Sequence, residues 1–224
     1  MSVYMTEQEQ IEAIKKWWQR YNGVITVIAS LILLAIAGYK YWNWHQAKVA
    51  QEASNAYEHL IVAFSNQDNK GVRAYANQLL KEYNETVYAD AARLTLAKLY
   101  TSREKYQDAI TQLDYVAKHS KMTAFQQVAK IRMARILIAD KSYDKALSEL
   151  SQINDTAYSS VVNEIKGDVY AETGKYFEAI AAYRKAINEV QTQGMGNVFL
   201  EMKTNELAAL TQSMQANSTT TKPA

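Results

Sequence analysis

Between Tyr21 and Tyr39 the chain runs for nineteen residues without a charge, as YNGVITVIASLILLAIAGY. Wound into a helix, that stretch would extend roughly 28 Å, close to the ~30 Å hydrocarbon thickness of a bilayer. Aromatic residues border it on both sides: Trp17, Trp18 and Tyr21 at one end, Tyr39, Tyr41, Trp42 and Trp44 at the other. All four tryptophans of the chain belong to these two belts. Indole and phenol rings settle at headgroup level, apolar body inward and polar tip in the wet zone. A helix buried in a soluble core has no reason to gather its aromatics at its two ends. The pattern therefore predicts a transmembrane helix over 21–39.

Two alternatives bear on this stretch. Ala35-Ile36-Ala37 has the small-x-small outline of a signal-peptide cleavage site. Against cleavage, a long flank precedes the apolar run and an aromatic belt follows the cut, so a retained anchor is expected. Lys15, Lys16 and Arg20 precede the span while Lys40 and Lys48 follow it. Three against two orients the N-terminus toward the cytoplasm. Ahead of the span, Thr6 and Glu9 form a capping-box pattern, and Ile11, Ile14, Trp17 and Trp18 share one helical face. Residues 1–20 thus read as a cytoplasmic amphipathic segment that lies on the leaflet or docks on a membrane partner.

Turn residues are scarce beyond the span. The chain holds seven glycines, and its single proline is Pro223, in the C-terminal tail. Strand-rich folds need frequent turns, whereas Ala, Leu, Lys, Gln and Glu favour helix; the expected class is all-α. No Gly or Pro lies between Gly38 and Gly71, so the membrane helix is expected to run on beyond the membrane.

The remainder repeats itself. Leu96–Val116, Met133–Ile153 and Lys166–Ala186 align without gaps. Ala97, Ala134 and Gly167 match; so do Tyr100, Leu137 and Tyr170, then Tyr106, Tyr143 and Tyr176, then Ala109, Ala146 and Ala179, then Leu113, Leu150 and Tyr183. The offsets of thirty-seven and thirty-three residues bracket the roughly 34-residue period of tetratricopeptide hairpins. The order of small, aromatic and Ala positions serves close packing: small residues let two helix axes approach, and large ones a turn away fill the gap. Gly174 supplies a left-handed helix end. Gly71–Tyr83 reads as the second helix of a degenerate unit, and NVFLEMKTNELAALTQ as a cap. The domain expected over 40–211 is a tetratricopeptide-like solenoid with a linking helix and a cap helix; 212–224 reads as a disordered tail.

Little in the chain suggests chemistry. Twenty-five basic residues face twenty-three acidic ones, which provides no field for nucleic acid. Cysteine is absent, which removes disulfides and thiolate chemistry. His45, His59 and His119 have no partners at metal-ligand spacing. Gly194-Met195-Gly196 falls between helices and reads as a turn rather than a phosphate loop. No catalytic residue, metal or cofactor is expected, and the chain reads as a non-enzyme.

Binding remains. Tetratricopeptide stacks use the concave wall made by the first helix of each hairpin. Counted from the matched small residue, that wall contains Leu94 and Lys98, then Val128, Ile131, Arg135 and Ile138, then Glu164 and Asp168. Clamps for acidic C-terminal peptides require Lys and Asn where Leu94, Ile131 and Glu164 stand, so that subclass is rejected. The strip is apolar, basic at one end and acidic at the other. It forms either a binding surface or packing against the neighbouring hairpin or cap helix.

Three stretches, EQIEAIKKWW before the span, YKYWNWHQ after it and MKTNEL (Met202 to Leu207) in the last helix, together with the order of elements, resemble the YfgM family of ancillary SecYEG translocon subunits. The resemblance covers nearly the whole chain. It implies a single-pass protein of the bacterial inner membrane with its repeats in the periplasm. Its implied partners are the SecYEG translocon, a PpiD-type periplasmic chaperone, and unfolded or newly translocated proteins. The implied role is a non-enzymatic scaffold or chaperone cofactor. A different reading of the same layout is a bitopic adaptor that sequesters a signalling or stress-response regulator.

Overall fold

A computed structural model describes residues 7–191 and 198–220 of the chain. Among these there are helices and no strand. The chain divides into two units, 1–52 and 53–224, to which helix α1 (Glu7–Ser65) contributes in turn. Thr6, expected to cap α1, and the Gly194–Gly196 turn lie outside the described residues.

In the first unit α1 carries the apolar run, which has a mean hydropathy of 2.0 and none of its residues buried against protein. Leu33 and Leu34 are 67% and 69% exposed, and the aromatics at both borders are exposed as well. A helix apolar all round and uncovered by protein fits a membrane-anchored chain. Its Thr and Ser hydroxyls are satisfied internally: Thr26 donates to the Asn22 carbonyl at 2.7 Å and Ser30 to that of Thr26 at 2.8 Å. Such bonding is what a hydroxyl in hydrocarbon would need to avoid the cost of a bare polar group.

The second unit stacks helical hairpins. The end of α1 pairs with α2 (Asn69–Glu82), α3 (Val87–Thr101) with α4 (Tyr106–His119), α5 (Thr123–Ala139) with α6 (Tyr143–Ser151), and α7 (Ser159–Glu172) with α8 (Tyr176–Gln191). A short 3-10 turn, Thr156–Tyr158, leads into α7, and α9 (Val198–Thr220) follows α8. Four small cores run in series, each joining a hairpin to the next helix. Leu60, Val72, Leu79 and Leu96 make the first, and Leu94, Leu113, Val116 and Met133 the second. Ile131, Leu150 and Ile165 make the third, and Ala179, Tyr183, Ala186 and Leu200 the last. Each hairpin thus shares a core with its neighbour in sequence, as in a repeat stack. Tyr106, Tyr143 and Tyr176 each begin the second helix of their hairpin, as the alignment predicts.

The four hairpin turns share one geometry. Gln67, Glu104, Lys141 and Gly174 take φ of 58°, 59°, 58° and 74°. The next N–H in each turn donates to the carbonyl five residues back: Asp68 to Ala63 at 2.9 Å, Lys105 to Tyr100 at 2.9 Å, Ser142 to Leu137 at 2.7 Å and Lys175 to Tyr170 at 2.8 Å. An inner bond joins each left-handed residue to the carbonyl three back, between 2.9 and 3.1 Å. These are Schellman caps, which satisfy carbonyls that a helix end would otherwise orphan. Only Gly174 announces its turn in sequence; the other three hold long polar residues in a conformation that disfavours a Cβ. Lys141→Gly is therefore expected to raise stability by about 1 kcal/mol, and Gly174→Ala to lower it by about as much. Thermal melts of the full chain in detergent read both; an unchanged midpoint for Gly174→Ala refutes the strain argument.

Sequence reasoning ends the cap helix at 211, whereas α9 continues to Thr220. No Gly or Pro interrupts 198–220, and Pro223 is the first residue unable to continue a helix.

Candidate protein-binding groove

The repeat register extends one hairpin further toward the N-terminus than the three-segment alignment. Leu60 stands thirty-seven residues before Ala97, so Tyr57, Ile61 and Phe64 occupy the positions that Leu94, Lys98 and Thr101 take one hairpin later. A concavity of about 390 Å³ forms there, with Tyr57, Ile61, Phe64, Leu94 and Phe125 among its lining. A second, of about 450 Å³, follows, with Thr101, Leu113, Arg135 and Ile136 among its lining. Lys98 and Arg132 line both, so the two join into one groove across the end of α1, α3 and α5.

The expected wall residues separate into three groups. Leu94 and Ile131 are 8% and 7% exposed and belong to the core. Leu94 packs with Met133 and Ile136, and Ile131 with Val162 and Ile165, where Ile138 joins it. Val128 is half-buried beside them in α5. Lys98 and Arg135 are exposed and make no ion pair among the described residues. The Lys98 ammonium stands 5.1 Å from the centre of the Phe64 ring, a cation–π distance.

Glu164 and Asp168 form the third group, which the cap helix occupies. Lys203 of α9 places its ammonium 2.6 Å from Asp168 Oδ1 and 4.0 Å from Glu164 Oε1. The Tyr183 hydroxyl donates to the same Oδ1 at 2.7 Å. Burial, and then the Asp168 carboxylate, push the Tyr183 phenol well above its ordinary range, so it stays a neutral donor. Lys203 also lies 4.9 Å from the Phe199 ring centre and 5.4 Å from that of Tyr183. The acidic end of the wall is thus spent on holding the stack's last helix.

Lys203→Met is expected to cost about 1–2 kcal/mol, because the pair is charge-assisted yet a quarter to a third exposed. A melt in which Lys203→Met matches the parent chain rules out the pin.

Arg132 and the three α1 positions escape a wall drawn from three segments. Tyr57, Ile61 and Phe64 carry a readable signal, the thirty-seven-residue offset; Arg132 has no counterpart in the other repeats. The aromatics expected at the membrane interface, Trp17 to Trp44, lie in the first unit. Among the described residues no group of three His, Asp or Glu side chains could hold a metal ion.

Comparison with known proteins places this architecture. The model of a tetratricopeptide repeat-like domain matches residues 15–209. A protein of Escherichia coli (strain K12) named ancillary SecYEG translocon subunit is 26% identical over 208 residues, 93% of this chain and 100% of its own length. Proteins of the same name from Neisseria gonorrhoeae and Haemophilus influenzae are 26% and 25% identical, each over 92% of this chain and all of their own. These matches bear out the resemblance read from EQIEAIKKWW, YKYWNWHQ and MKTNEL.

Proposed function

The chain belongs to the tetratricopeptide repeat-like domain family, and from that premise we propose that it is a membrane-anchored, non-catalytic adaptor of the SecYEG translocon. One observation carries the reading: relatives named ancillary SecYEG translocon subunits match this chain along their entire length. Anchor, repeats and cap helix are therefore compared as one unit in one order.

In this reading residues 1–20 face the cytoplasm, 21–39 cross the inner membrane and 40–211 work in the periplasm. Trp17, Trp18 and the span contact the translocon within the bilayer. Tethering converts weak contacts at the channel exit into effective ones by raising local concentration. The groove and its neighbouring wall then receive a PpiD-type chaperone or newly translocated proteins, which the adaptor helps to leave the channel and fold.

Photo-crosslinking in intact membranes tests this directly. Crosslinkers at Trp17 and Trp18 are expected to trap a SecYEG subunit, and those at Lys98 and Arg135 a periplasmic protein. Protease added to spheroplasts is expected to digest the repeats. Repeats protected in intact spheroplasts, or an anchor that traps no translocon subunit, defeat the proposal.

A further inference from the structure

We propose that the groove formed by the end of α1, α3 and α5 takes a protein segment bearing side-chain carboxylates beside large apolar side chains. This rests on the adaptor reading and deepens it by naming the chemistry of the partner.

Charge is the first argument. Lys98, Arg132 and Arg135 line the groove, and no Asp or Glu does. The whole chain carries twenty-five basic and twenty-three acidic residues, so this excess is local. On the same wall the acidic side chains, Glu164 and Asp168, already face Lys203. Lys98 and Arg135, one repeat apart in the same register, have no carboxylate partner among the described residues. The wall that sequence reads as dipolar is positive where it is open.

The floor is the second argument. Tyr57, Ile61, Phe64 and Phe125 line the groove with apolar surface beside the cations. Apolar anchors with a few placed charges are the usual makeup of a binding cleft. Carboxylates close to those anchors gain from a partly desolvated setting, and like-charged segments are rejected. A flat lipid surface cannot reach the floor of a concave groove, which favours a protein segment over anionic headgroups. Side-chain carboxylates fit better than a chain terminus, because Leu94, Ile131 and Glu164 stand where a clamp would need Lys or Asn.

Fluorescence anisotropy on the full chain in detergent micelles tests the proposal. The probes are two labelled synthetic peptides of one length: one of Leu, Phe and Glu, the other with each Glu replaced by Gln. The Glu peptide is expected to bind about ten-fold more tightly, and the difference to shrink with added salt. Lys98→Gln with Arg135→Gln, both at exposed positions, is expected to abolish that preference while helicity by circular dichroism stays unchanged. Should that pair unfold, Arg132→Gln is measured instead and is expected to reduce the preference.

Equal binding of both peptides, no binding of the Glu peptide, or a preference that survives the substitutions overturns the inference. Displacement of the Glu peptide by phosphatidylglycerol in mixed micelles, abolished by the same substitutions, assigns the groove to lipid and overturns it too. If the peptides fail while SecYEG still co-purifies with the chain, this inference falls and the adaptor reading stands. Loss of co-purification defeats the reading beneath it.

Discussion

Gly167→Ala is expected to destabilise the chain by about 2–3 kcal/mol, an unusually large cost for a single methyl group. A Cβ built on Gly167 would stand 2.5 Å from Cδ1 of Tyr183 and closer still to Cε1. Tyr183 cannot yield easily. It is 2% exposed, it packs with Ala179, Ala186 and Leu200, and its hydroxyl is bound to Asp168. Either the ring leaves its site or α7 and α8 move apart, and both loosen the contact with α9. For a chain of this size the midpoint of thermal unfolding should fall by roughly 4–12 °C.

The repeats supply a sharper form of the test. Sixteen residues separate Ala97 from Leu113, Ala134 from Leu150 and Gly167 from Tyr183. Two hairpins solve the close approach with Ala and Leu in one core; the third uses Gly and Tyr. Tyr183→Leu alone should destabilise by opening a void. Combined with Gly167→Ala it should cost at least about 1 kcal/mol less than the two single changes added together. Additive losses would show that the tyrosine ring and the missing Cβ are unrelated.

That pairing marks how far a sequence reaches in this fold. Ala97, Ala134 and Gly167 recur because helix axes can approach only where side chains are small, so the period and the hairpins are legible. The turns are less so. Gln67, Glu104 and Lys141 are held left-handed by Schellman hydrogen bonds that neighbouring backbone provides, and nothing in those side chains signals it. Burial on the wall was open for a related reason. Ile131 and Ile138 are apolar on a face shared by groove and core, and only the arrival of α7 decides that they pack inward. Lys203 is harder still. Its role depends on α9 returning across α7, and no local pattern in MKTNEL distinguishes a pin from a solvated lysine. The open cations are a consequence: Lys98 and Arg135 stand out only once Glu164 and Asp168 have found their partner.

Leu31→Arg with Leu34→Arg should remove the chain from the membrane. Nine Val, Ile and Leu residues lie between Val24 and Ile36, each contributing about −0.3 to −0.6 kcal/mol to insertion near the centre of a span. Their sum is on the order of −4 kcal/mol. Each arginine near the midplane costs about 2.5–3.5 kcal/mol, and two of them outweigh that sum. Both positions are exposed along α1, so no protein core is disturbed. The parent chain is expected to resist carbonate extraction and to retain Trp17 and Trp18 by mass, which also excludes cleavage after Ala37. The arginine variant should appear in the soluble fraction or be degraded, whereas Leu31→Ala with Leu34→Ala should stay in the membrane. An arginine variant that resists carbonate like the parent would mean that retention does not depend on the apolar run. The consequence for function follows from concentration. On the adaptor proposal, weak contacts between the groove and its partners act only while the anchor holds the stack at the membrane, so the soluble variant should lose its crosslinks at Lys98 and Arg135 although the groove itself is intact.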